Sequence, residues 1–252
     1  MRRKCLRKLE YFFGVCVCLL IRKISVEYNQ LLQLFSQNGN KQFEQFNSKI
    51  ANSGVRMIGC TVPFIRSVAK QYLRNLHEVV ALPTHDYFEV DMFKGMVVSL
   101  CKLPFESKKC YLEKFALTLE NWAVCDTNTV KVPRNELSQY FDFFCELCVR
   151  NEPFVCRYGV VNLLANYLDS EHVDAIFTLL AKISYGNYYV DMAVAWLIAT
   201  AMAKCPSQTA QFVEGDARQV LNTFTYNKAL QKMTESRRIT DEQKQWARSL
   251  KK

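Results

Sequence analysis

Trp122 and Asp126 stand four residues apart, a spacing that on a helix sets an indole and a carboxylate one turn apart on the same face. Such a pair could grip a cationic group, the carboxylate supplying charge and the ring its π-face. Spacing alone favours a plainer use, with Trp122 anchored in the core and Asp126 capping the helix that follows. Arg157 falls after Pro153 on a later helix, and Trp196 on one beyond it, so stacked helices could bring all four residues to a single surface. Cys145 and Cys148 have metal-ligand spacing, but no second pair follows at zinc-site distance, and His77, His85 and His172 are far apart in sequence. Two thiols at i and i+3 of a helix read as core-facing, so no metal site is expected. The chain also lacks a phosphate-cradling glycine loop, an HExxH pair and a Gly-x-Ser-x-Gly elbow, which argues against metal, nucleotide and acyl-transfer chemistry.

Proline positions predict the elements that must carry these residues, because proline is favoured at the first position of a helix. Pro63, Pro83, Pro104, Pro133 and Pro153 are separated by 20, 21, 29 and 20 residues, about the length of one helix and its turn. Before Pro206, the pairs Asp169-Ser170 and Gly186-Asn187 supply polar breaks. Apolar residues recur at helical spacing in between. Val155, Tyr158, Val161, Asn162, Leu164 and Ala165 make one stripe, and Met192, Ala195, Trp196, Ala199 and Met202 another. The pattern predicts an all-α chain of antiparallel helix pairs with a period near 40, a HEAT-like solenoid. An irregular helical bundle would show the same stripes.

Composition agrees with a helical, folded chain. Half of the 252 residues are apolar, and only 8 Gly and 6 Pro are present, too few for the many turns of a sandwich or barrel. Eleven cysteines at irregular spacing read as free, mostly buried thiols in a reducing cytoplasm. The net charge of +9 is concentrated at the ends: residues 1–25 carry +6 and residues 226–252 carry +5, which leaves the middle at −2. No general polycation is present, so any affinity for nucleic acid must come from placed residues. Residues 1–23 have the basic and apolar outline of a signal peptide. Their apolar run of about eleven residues is short of a bilayer span, and Ile21, Arg22 and Lys23 stand where a cleavage site would need small residues. They are expected to form a peripheral first helix or an extended start, with a membrane-surface helix the next reading.

Five stretches in order carry a family resemblance over roughly residues 26–252. They are Ile58 to Arg66, with its proline and arginine opening an early helix; Trp122 with Asp126; Phe154 to Tyr158 around Arg157; Asp191 to Trp196; and the basic ending from Tyr226 to Arg237. In this order the chain resembles the AlkD-like family of DNA alkylation repair enzymes, HEAT-like-repeat glycosylases that remove alkylated purines. The resemblance implies a single domain over 26–252 behind an extension at 1–25. It implies duplex DNA bearing alkylated purines as the partner, no cofactor, and a monomer. Asp126 would be the catalytic carboxylate, with Trp122 and Trp196 as aromatic walls. Arg157, Arg66, Lys228, Lys232, Arg237 and Arg238 would contact the DNA. Relatives often carry a basic residue shortly after the second tryptophan, where this chain has Ala199. A non-catalytic helical scaffold that binds DNA or protein is the rival reading, since fold does not fix function.

Overall fold

Side-chain caps and prolines set most helix starts, as a computed structural model shows for residues 27–51 and 54–251. Helices α1 (Tyr28–Asn38) and α2 (Lys41–Ala51) come first. Thr61 caps α3 (Val62–Ala69), with Pro63 in its first turn. A 3-10 turn (Lys70–Asn75) leads into α4 (Leu76–Val80), followed by α5 (Phe88–Leu100) and α6 (Phe105–Leu117), the latter entered from Pro104. The Asn121 side chain accepts from the Ala123 and Val124 amides and so caps α7 (Trp122–Thr127). Pro133 opens a short 3-10 turn that runs into α8 (Leu137–Cys148), and Pro153 is the first residue of α9 (Pro153–Asn166). After α10 (Val173–Leu180), Asn187 caps α11 (Tyr188–Lys204), and Pro206 opens α12 (Pro206–Glu214). A short α13 (Ala217–Val220) precedes α14 (Thr223–Glu235), capped by Asn222, and α15 (Asp241–Leu250), which begins with a capping box at Thr240.

Pro83 departs from the expectation, since no helix begins until Phe88. His85 in between has φ +62, a left-handed conformation that cannot continue a helix, and its amide donates to the Asp91 carboxylate. Pro83 therefore sits in a turn. No strand occurs among the described residues, only an isolated bridge between Arg56 and Tyr87. The extension at 1–25 lies outside them.

Helices α3, α5, α7, α9, α11 and α14 form a row in which each packs on the next. Other helices back that row: α6 lies against α5 and α9, α8 against α9, α12 against α11 and α15 against α14. Polar side chains tie successive members of the row at a nearly constant offset. The buried Glu89 accepts from the amides of Ile58, Gly59 and Cys60, which are 29 to 31 residues away. Arg157 reaches Asp126 and Tyr189, 31 and 32 residues away, and Asp191 accepts from Asn222 at 31. The fold thus repeats about every 31 residues, shorter than the period near 40 drawn from proline spacing. The prolines are unevenly divided between the row and its backing helices, which is why their intervals mislead.

Of the two apolar stripes, the one on α9 understates burial. Residues Val155 to Leu164 are all buried, Arg157 and Asn162 included, because α9 is packed by α7, α8 and α11 on different sides; Ala165 is exposed. On α11, Ala195, Ala199 and Met202 face the core, whereas Trp196 is 38% exposed and Met192 half-buried. Cys148 is fully buried and Cys145 half-buried, and all eight described cysteines are free. No described helix is long and apolar enough to cross a membrane.

Candidate functional site

Five of the nine expected residues, Trp122, Asp126, Arg157, Trp196 and Lys232, meet in one cleft of about 550 Å³, which Tyr188, Tyr189 and Met192 also line. Four consecutive members of the row, α7, α9, α11 and α14, each contribute to it. The 31-residue repeat explains the convergence, because equivalent positions of neighbouring repeats fall side by side.

Asp126 lies in the last turn of α7, and the next helical turn begins only at Arg134, so Asp126 is not an N-cap. Its carboxylate is held by Arg157 in a two-point fork: Nε donates to Oδ1 at 2.9 Å and an Nη donates to Oδ2 at 2.7 Å. The other Nη donates to the Tyr189 carbonyl at 2.6 Å. Arg157 therefore has a use other than the DNA-backbone contact expected of it. Its side chain is 7% exposed, and it fixes the plane of the Asp126 carboxylate and the first turn of α11 together. Asp126, at 15% exposure, keeps an edge toward the cleft. Each carboxylate oxygen has two lone-pair directions, so the fork leaves acceptor capacity free for a ligand.

Aromatic side chains share the cleft with the carboxylate. Trp122 precedes it by one turn on α7, while Trp196 lines the same cleft from α11. Tyr188, Tyr189 and Met192 also line the cleft and were not among the expected residues. Sequence could show only that Tyr188, Met192 and Trp196 share one face of α11, at i, i+4 and i+8; Tyr189 lies off that face and gave no signal.

Lys232 brings positive charge to the same cleft from α14. Burial depresses its pKa below the usual lysine value; the nearby Arg157 and Lys228 push the same way, and Glu235 and Asp126 oppose them. A neighbouring groove of about 430 Å³ shares Trp196 and Lys232 and adds Ala199, Thr200, Ala203, Glu235, Ser236, Arg237 and Arg238. Cations from the last turn of α14 and the turn after it thus border the groove at Ala199. Lys228 is half-buried, donates to Gln231 and lies over the Phe224 ring. Arg66 is half-buried on α3, separated from α11 by α5, α7 and α9 in the row, and does not line the cleft. The basic ending is not a loose tail, because α14 and α15 order it.

The family model of the DNA alkylation repair enzymes matches residues 31–233, which include every residue lining the cleft. No curated protein gives a significant match.

Proposed function

Because the chain belongs to the family of DNA alkylation repair enzymes, we propose that it is a DNA glycosylase that hydrolyses the N-glycosidic bond of cationic alkylated purines in duplex DNA. One observation carries this reading: a carboxylate, fixed in orientation by a buried arginine, opens into a cleft walled by Trp122 and Trp196.

A purine alkylated on a ring nitrogen carries positive charge and is already a good leaving group, so little acid catalysis is needed. The barrier that remains is the oxocarbenium-like sugar. A preorganised carboxylate stabilises that charge electrostatically and orients the attacking water. Asp126 fills both roles, and Arg157 positions it. Trp122 and Trp196 offer their ring faces to the cationic nucleotide, an attraction of about 0.5 to 2 kcal/mol each. Lys232, Arg237 and Arg238 lie where they can meet phosphates on the α14 side, with Lys228 beside them, and Arg66 would serve a more distant stretch of the duplex. The reaction needs no cofactor. The free, mostly buried thiols among the described residues fit a protein working in a reducing cytoplasm.

The scaffold reading draws on one fact, that both oxygens of Asp126 are already engaged by Arg157. Single-turnover release of methylated purine from alkylated duplex separates the two. A glycosylase releases free base and slows sharply in Asp126→Asn, whereas a scaffold binds the same duplex and releases none.

A further inference from the structure

Beside the cleft runs a chain of aromatic rings that base excision leaves unused. Phe154 on α9 packs against Tyr189, with ring centroids 4.9 Å apart. Tyr189 meets Tyr188 edge-on at 5.5 Å, and Tyr188 meets Phe224 of α14 at 6.2 Å. The chain passes through the cleft wall and leaves it, since Tyr188 and Tyr189 line the cleft and Phe154 and Phe224 do not. Its outer rings are bare: Tyr188 is 58% exposed and Phe224 40%. They cannot be serving the core. The Lys228 ammonium lies over the Phe224 ring, 5.8 Å from its centre, and donates to Gln231 at 3.0 Å, so a cation covers one side of the patch.

Tyr189, within this chain, is tied through Arg157 to the carboxylate of Asp126. Arg157 holds the Tyr189 carbonyl with one nitrogen and Asp126 with the others, so the first turn of α11 cannot shift without disturbing Asp126. Two exposed rings with a flanking lysine, continuous with a DNA-binding cleft, fit one occupant best. Every nucleobase has a π-face, and its phosphate carries the charge that complements Lys228. An exposed apolar patch meant for protein has no need of that cation.

We propose that Tyr188 and Phe224 form a stacking platform for a single unpaired nucleobase of the bound DNA, with Lys228 on its phosphate. This rests on the reading of the cleft as a DNA site, and it adds a preference that cleft chemistry alone does not supply. Distorting the duplex at a lesion leaves a base without its stacking partners. The platform gives that base a surface and so favours the distorted form over the paired one.

The test compares fluorescence anisotropy on a fully paired duplex and on the same duplex with one extrahelical 2-aminopurine nucleotide. The protein should bind the bulged duplex about ten-fold more tightly and quench the 2-aminopurine on binding, as expected when one base stacks on protein rings. The Tyr188→Ala/Phe224→Ala double variant should bring the ratio of the two affinities close to one. Tyr188→Phe and Phe224→Tyr should keep it, which separates stacking from loss of fold. A wild-type ratio near one, or a preference that survives the double alanine change, overturns the platform while leaving excision of methylated purine intact. Failure to bind either duplex overturns the DNA site and the platform together. A Phe224-dependent dimer in light scattering would give the patch to a second copy of the chain and also overturn the proposal.

Discussion

Arg157 and Asp126 change what a substitution at the site should do. Asparagine is nearly isosteric with aspartate, but Asp126→Asn removes the countercharge from a guanidinium that is almost wholly buried. We expect a stability loss of about 3 kcal/mol, the size usual when one partner of a buried pair is removed. Base release by the folded variant at low temperature should fall about 10²-fold or more. A folded Asp126→Asn that excises at the wild-type rate removes the carboxylate from the chemistry. Lys232 offers a second test through pH. Its folded pKa is depressed by burial, so its charge opposes folding at pH values below that pKa, and the penalty fades as pH rises toward the unfolded value. DNA affinity runs the other way, because only the charged amine attracts phosphate. Duplex affinity should therefore weaken with rising pH before an ordinary lysine titrates. Lys232→Arg should hold the affinity level over that range, since guanidinium stays protonated; an identical decline in the variant assigns the effect to another group.

The helices owe their mutual placement to close contacts that spacing in the sequence only partly discloses. Gly159 of α9 faces α8 so closely that an added Cβ would lie 2.7 Å from the Phe144 carbonyl oxygen and 2.8 Å from the Cys148 nitrogen. Gly159→Ala should destabilise the protein by about 2 kcal/mol despite alanine's higher helix propensity, because backbone must move to admit the methyl. The expected sign is a lower urea midpoint with an unchanged slope; an unchanged midpoint would show that α8 and α9 can part at no cost. Helix starts at Pro63, Pro104, Pro153 and Pro206 were legible because proline acts locally, through its missing N–H and fixed φ. The turn at Pro83 was not, since it depends on His85 and on a hydrogen bond to Asp91 in the next helix. Trp122, Asp126, Arg157 and Trp196 could be singled out by residue type and order. That Arg157 closes on Asp126 could not be read, because it depends on a 31-residue offset between repeats that proline spacing obscures. The stripe of Tyr188, Met192 and Trp196 likewise reads as a helix face, and nothing in its periodicity says whether that face meets core or cleft.

Across the whole molecule, the charge that sequence places at residues 226–252 is divided by the fold into engaged and available parts. Arg218, just before this stretch, donates to the Leu250 carbonyl and lies over the Tyr226 ring, tying α15 to the base of α14. Lys244 pairs with Asp241 within α15. Lys232, Arg237 and Arg238 instead border the groove beside Trp196, with Lys228 one turn back, and Glu235 among them is a local counterweight. A small group of cations thus stands beside the cleft, so duplex affinity should be modest and its salt dependence set by a small number of phosphates. Each phosphate contact contributes roughly −0.9 to the slope of log affinity against log salt. Replacing Lys228, Lys232, Arg237 and Arg238 together by glutamine should flatten that slope by roughly 2 to 4, whereas Arg66→Gln should change it by no more than about 1. Titrations of one duplex at several salt concentrations decide the matter. An unchanged slope in the quadruple variant would mean that these side chains are a solvated face, and that DNA is held from another side of the row.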